Sequence, residues 1–184
     1  MHRRSGAAQQ TGQWMPEASI FWNDCEKPRK LCERVRLGCV SYPKERILVF
    51  PVTSFTLGDR LRIVLQPTFH TNRKFYIRLK NGNDVVLSFE AHTLENENDA
   101  TYSPHVFFNT FHNGAWETEE QTAGRCPLIW YRTYCIDFSP SGHHTVYVRV
   151  NGRTIHEFRE RHNYFKVSLM EIAGDLAVHS VHLP

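Results

Sequence analysis

A chain of 184 residues holds one core with an appendage and is too short for two full-sized cores. With 41% hydrophobic and 22% charged residues it is neither a disordered nor a fibrous chain, and its apolar runs, such as residues 47–52, are far too short to span a bilayer, so no membrane insertion is expected. The net charge of +3, from 22 Lys+Arg against 19 Asp+Glu, is too small an excess to make nucleic acid an expected partner.

The chain opens on a basic Met1-His2-Arg3-Arg4, but polar residues rich in Gln and Gly follow where a secretion signal needs an apolar run. No Asn-X-Ser/Thr acceptor occurs anywhere. The expected location is the cytoplasm, with any export by a route that uses no signal peptide. Residues 1–45 read as a basic N-terminal arm, partly disordered, removable up to about residue 40, and carrying Phe21, Trp22, Lys27, Arg29, Lys30, Arg34 and Arg36. Two roles stay open for it: packing its rings on the domain, or self-association and contact with an acidic partner.

Five cysteines cannot all pair within one chain. Cys25, Cys32 and Cys39 recur every seven residues, yet Pro28 breaks any helix that would align them and no C-x-x-C is present. Thiols in a reducing compartment are the expectation, with zinc or intermolecular disulfides as alternatives. Cys126 and Cys135 stand where a hairpin would bring them together, which sequence alone does not decide.

From residue 46 the pattern changes to short β-branched and aromatic runs separated by turn residues. Strands are predicted at 47–52, 60–66, 74–80, 84–91, 105–110, 116–121, 134–138, 145–150, 153–159, 166–173 and 176–182. Asn81-Gly82-Asn83, Asn113-Gly114, Ser141-Gly142 and Asn151-Gly152 supply the left-handed or tight-turn residues that reverse the chain between them. Alternation in Tyr147-Val148-Arg149-Val150 leaves one face apolar and the other polar. The predicted class is all-β, a two-sheet antiparallel jelly-roll sandwich over 46–184.

Leu57-Gly58-Asp59, Phe75-Tyr76-Ile77-Arg78-Leu79 and Asn83-Asp84-Val85-Val86-Leu87-Ser88-Phe89 come first. Val106-Phe107-Phe108-Asn109, Asn113-Gly114-Ala115-Trp116-Glu117-Thr118-Glu119-Glu120, Val148-Arg149-Val150-Asn151-Gly152 and Ile172-Ala173-Gly174-Asp175-Leu176 follow. In order and spacing these resemble the galectin family of galactoside-binding lectins, from residue 47 to the C-terminus. The resemblance implies a galectin-like carbohydrate-recognition domain whose partner is a glycan or glycoconjugate held on a concave sheet.

The residue chemistry agrees with that implication. A pyranose offers a face of C–H bonds that stacks on an exposed ring, and a rim of hydroxyls that needs fixed donors and acceptors. Trp116 is the implied platform, with Asn109 as a mixed donor and acceptor and Glu119 as an acceptor. The family's His, Asn and Arg at alternating positions of one central strand, and its Arg two residues beyond the motif Glu, align with Ser88, Glu90, His92 and Gln121. Alternation still puts Ser88, Glu90 and His92 on one face, but an amide and two guanidinium groups are replaced. Galactoside binding is therefore expected to be altered or weakened. The alternative is a sugar-silent scaffold of the same fold that binds protein.

Other chemistry is thin. Glu90 and Glu119 are two carboxylates such as a glycosidase pairs, but nothing else favours catalysis, and neither enzyme nor catalytic residue is expected. His92 and His143-His144 complete no metal-ligand spacing, so no metal or other cofactor is expected. An acidic stretch at residues 95–99 stands close enough in sequence to His92 to cover the sugar face.

Overall fold

The computed structural model describes residues 33–41, 47–69, 73–95, 105–124, 128–142, 144–162 and 166–184. Their elements are strands: β1 (Glu33–Ser41), β2 (Leu48–Pro51), β3 (Leu61–Pro67), β4 (Lys74–Asn81), β5 (Asp84–Leu94), β6 (Val106–His112), β7 (Ala115–Trp116) and β8 (Glu120–Gln121), then β9 (Leu128–Ile129), β10 (Tyr134–Ser141), β11 (Thr145–Val150), β12 (Arg153–Arg159), β13 (Leu169–Gly174) and β14 (Leu176–Leu183). One sheet runs β1-β14-β3-β10-β11-β12, and the second, of eight strands, runs β2-β13-β4-β5-β6-β7, with β8 also paired to β6 and β9 paired in parallel to β5. The all-β sandwich expected from the alternation is the fold observed. No helix among the described residues is long and apolar enough to cross a membrane.

Period-two patterning drives this assembly. Phe75, Ile77 and Leu79 of β4 are buried between the sheets, while Lys74, Tyr76, Arg78 and Lys80 alternate with them on the outer face. Phe89 anchors the interior: its ring meets Phe108 of the same sheet at 5.8 Å and Phe138 of the opposite sheet at 5.9 Å, both edge-on. Asn113 and Gly114, with φ of 52° and 84°, form the tight turn between β6 and β7. Between β13 and β14, Gly174 has φ of 108°, and a Cβ there would lie 2.6 Å from the Lys74 carbonyl oxygen.

Two predicted boundaries shift. The single strand expected at 116–121 is two short pieces, β7 and β8, because residues 117–119 between them leave the ladder. The region assigned to the arm contributes β1, which runs antiparallel to β14 from Glu33 opposite Leu183 to Ser41 opposite Ala177, with a bulge between Arg36 and Val40. The sheets thus take in residues before 46. Phe21, Trp22, Cys25, Cys32, Cys126, His143 and most of the acidic stretch at 95–99 lie outside the described residues. Cys135 is buried in β10.

Candidate functional site

Antiparallel register lays the candidate residues out in rows on the outer face of the eight-stranded sheet. Arg78, Ser88 and Asn109 stand directly across from one another on β4, β5 and β6. Tyr76, Glu90, Phe107 and Gln121 form the next row, and Lys74 faces His92 in the one after. Trp116, opposite Phe111, closes the face on β7 as a residue 47% exposed, with the Phe111 ring edge-on at 5.3 Å. Trp116 and Glu119 are exposed, as a ligand platform and a free acceptor require, and Gln121 is exposed on β8. Ser88 is buried between its longer neighbours.

The polar groups of this face are only partly available to a ligand. Glu90 Oε1 accepts from Lys74 Nζ at 3.0 Å and lies 3.4 Å from His92 Nε2. The His92 hydrogen bond is the largest influence on the Glu90 carboxyl and, with Lys74, overrides the opposing effect of burial to hold its pKa at about 2. The Asn109 amide donates to the Glu117 carbonyl at 3.0 Å, and its Oδ1 accepts from the Thr110 amide at 2.7 Å. One N–H and one lone pair of Asn109 remain.

Three further residues of the face, Lys74, Tyr76 and Arg78, are not among those expected from the sequence. The Arg78 guanidinium lies 4.0 Å from the centre of the Tyr76 ring and 5.3 Å from that of Trp116. The signal that finds them is the alternation of β4, which places Lys74, Tyr76 and Arg78 on the face shared by Glu90 and His92.

The segment from Trp116 to Gln121 is held by a charged clasp. Arg161 donates to Glu117 Oε2 at 3.1 Å, to the Thr118 carbonyl at 2.8 Å and to Glu120 Oε1 at 2.6 Å. Glu120 Oε2 meets His156 Nε2 at 2.9 Å, and the His156 ring stacks on Phe108 at 4.1 Å. Glu117 also pairs with His162, whose ring stacks at 4.2 Å on His112, itself 2.9 Å from Asp84 Oδ2. Burial works against ionisation of Glu117, but His162 and Arg161 more than offset it and lower its pKa. Glu119 sits in this segment between the two clamped carboxylates. Among the described residues no group of three or more His, Cys, Asp or Glu side chains is placed to hold a metal ion.

The family model described as galactoside-binding lectin matches residues 49–183, the span that carries both faces of the sandwich and every candidate site residue. The chain belongs to the galectin family. Among solved structures it is similar to the Caenorhabditis elegans galectin LEC-6, at 31% identity over 78% of this chain and 93% of that one, with a TM-score of 0.63. It also shares its fold with CG-16, a homodimeric agglutinin from chicken liver, at 19% identity over 74% of this chain and 98% of that one, with a TM-score of 0.60. No curated protein sequence matched the chain. Within this galectin, β1 lies ahead of the matched span.

Proposed function

We propose that this galectin is a glycan-binding lectin whose galactoside specificity is altered, reading its ligand on the outer face of β4 to β7. The observation that carries the proposal is the exposed Trp116 ring, set on the same sheet face as Asn109 and beside the exposed Glu119. A sugar stacked on that ring meets the remaining amide proton and lone pair of Asn109 and a free carboxylate. Ser88, Glu90 and His92 do not offer what a galactose-reading strand offers. Ser88 is buried and short, and Glu90 is already bonded to Lys74 and His92.

Simple galactosides are therefore expected to bind weakly. Unmet hydrogen bonds cost about 1–3 kcal/mol each, so the loss of several donors outweighs stacking on one ring. The deciding experiment is a glycan array followed by calorimetry with lactose, using Trp116→Ala as the control. Binding of a defined glycan set that Trp116→Ala abolishes supports the lectin reading. The combined change Ser88→His, Glu90→Asn and His92→Arg is expected to raise lactose affinity.

A second reading follows from the internal bonding. If Glu90, His92 and Asn109 are committed to their protein partners, the face is a sugar-silent scaffold surface that binds protein. Absence of glycan binding in a folded chain, with the triple change also inactive, supports that reading. We further propose a cytoplasmic location, with export by a route independent of a signal peptide, and self-association of the kind that the name of the chicken agglutinin records.

A further inference from the structure

Arg78 stands among carboxylates and is bonded to none of them. Directly across β4 and β13 from it, Glu171 is bonded instead to Lys80 at 2.9 Å. On β5, Glu90 is engaged by Lys74 and His92. The Arg78 Nε is buried, and among the described residues nothing accepts its hydrogen bond. A buried donor without an acceptor is unfavourable by about 1–3 kcal/mol, more when it is charged. The Tyr76 ring beneath the guanidinium holds it flat by cation–π contact but accepts no N–H in its plane. The guanidinium also lies over the Trp116 ring, 5.3 Å from its centre, with the short Ser88 as its neighbour across the ladder.

We propose that Arg78 makes this face select glycans that carry an oxyanion, either a sulfate ester or a carboxylate, next to the residue stacked on Trp116. The inference rests on the lectin reading and deepens it. A guanidinium presents parallel N–H groups in a planar fork that matches two oxygens of a sulfate or carboxylate, which a neutral hydroxyl does not. Lys74 and Lys80, the other cations of β4, are each neutralised by a carboxylate, so the unmatched positive charge of the face is concentrated at Arg78. The exposed Glu119 lies between β7 and β8, which both pair with β6 at the edge of the sheet away from β4, and its negative charge disfavours an anionic group placed beside it.

The test is calorimetry of the full chain with lactose, 3′-O-sulfated lactose, 3′-sialyllactose and inorganic sulfate, at low and high salt. Sulfated or sialylated lactose is expected to bind about tenfold or more tightly than lactose, with the margin shrinking at high salt. The two anionic sugars distinguish a sulfate from a carboxylate. Arg78→Met is expected to erase the margin between the anionic sugars and lactose, and Arg78→Lys to restore part of it, while Trp116→Ala weakens all three sugars. Melting curves of the variants show that each is folded. A margin that survives Arg78→Met, or lactose binding as tightly as both anionic sugars, overturns the proposal while leaving the lectin reading intact. Binding of inorganic sulfate as tight as the sulfated sugar overturns it also, since the site would then read an ion and not a glycan. No binding of any sugar by folded protein overturns both readings together.

Discussion

Arg62 and Asp137 face each other across the β3–β10 ladder and are joined by two hydrogen bonds, Nε to Oδ1 at 2.7 Å and Nη2 to Oδ2 at 2.8 Å. Both side chains are almost fully buried. A charge pair in that setting is costly to break from one side only, because the survivor stays buried and loses its opposite charge across the ladder. Asp137→Ala is expected to lower stability by about 3–5 kcal/mol, and replacing both residues with apolar ones of similar size to recover most of the loss. Urea denaturation of the two variants checks this. Equal losses for single and double changes would show that the pair contributes through packing alone.

Gly174 gives a second prediction. A methyl group there would lie 2.6 Å from backbone atoms of Lys74 and Phe75, at a φ of 108° that L side chains rarely adopt. Gly174→Ala is expected to cost more than about 1 kcal/mol and to disturb the start of β4, hence Lys74 and its bond to Glu90. Thermal melting and hydrogen exchange of the β4 amides measure both effects.

Acid stability follows from Glu90 and Glu117. The folded-state pKa of Glu90 is depressed to about 2 from an ordinary 4.5, and that of Glu117 is also lowered. A depressed carboxylate stabilises the fold above its unfolded pKa and stops doing so as pH falls through the folded value. For Glu90 the loss is expected between about pH 4.5 and 2, tempered by its partial exposure. Glu90→Gln is expected to flatten the stability profile in that window and leave the plateau shape above pH 5 unchanged.

The clasp is tested by Arg161→Ala. It removes the bonds to Glu117, Thr118 and Glu120, and is expected to lower stability by about 1 kcal/mol, since these carboxylates are partly solvated. The larger signature is local: faster hydrogen exchange of the amides of residues 117–121 and weaker binding of any ligand that touches Glu119. Unchanged exchange there would assign the positioning of Glu119 to the ladder contacts of β7 and β8 alone.

How far the sequence reveals this molecule depends on how local each determinant is. The strands of the sandwich are legible because burial of Phe75, Ile77 and Leu79 against exposure of Lys74 and Lys80 is written in a period of two. Trp116 is legible as a platform only through the resemblance of its surrounding motif to galectins, because a Trp at the start of a strand is otherwise read as a core residue. What escapes is set by pairing between distant residues. Glu90 is bonded to Lys74, 16 positions earlier, and Glu117 to Arg161, 44 positions later. The commitment of Asn109 to the Glu117 carbonyl appears only when the turn brings them together. β1 escapes because its alternation, Arg34-Val35-Arg36-Leu37, is short and ends at Gly38, in a basic stretch that reads as a solvated arm.

The pairing of β1 with β14 decides where the six-stranded sheet meets the rest of the cell. At that edge the hydrogen-bonding rim is formed by residues 33–41 and not by the C-terminal strand, so a protein that extends the sheet there pairs with β1, while β12 forms the opposite edge. A shortened chain cut to the family-matched span would strip that cover and bare the amides and carbonyls of residues 177–183 to the solvent. Association seen with such a fragment would be an adhesion made by the cut, and only the chain that keeps residues 33–41 reports how this galectin meets its own kind.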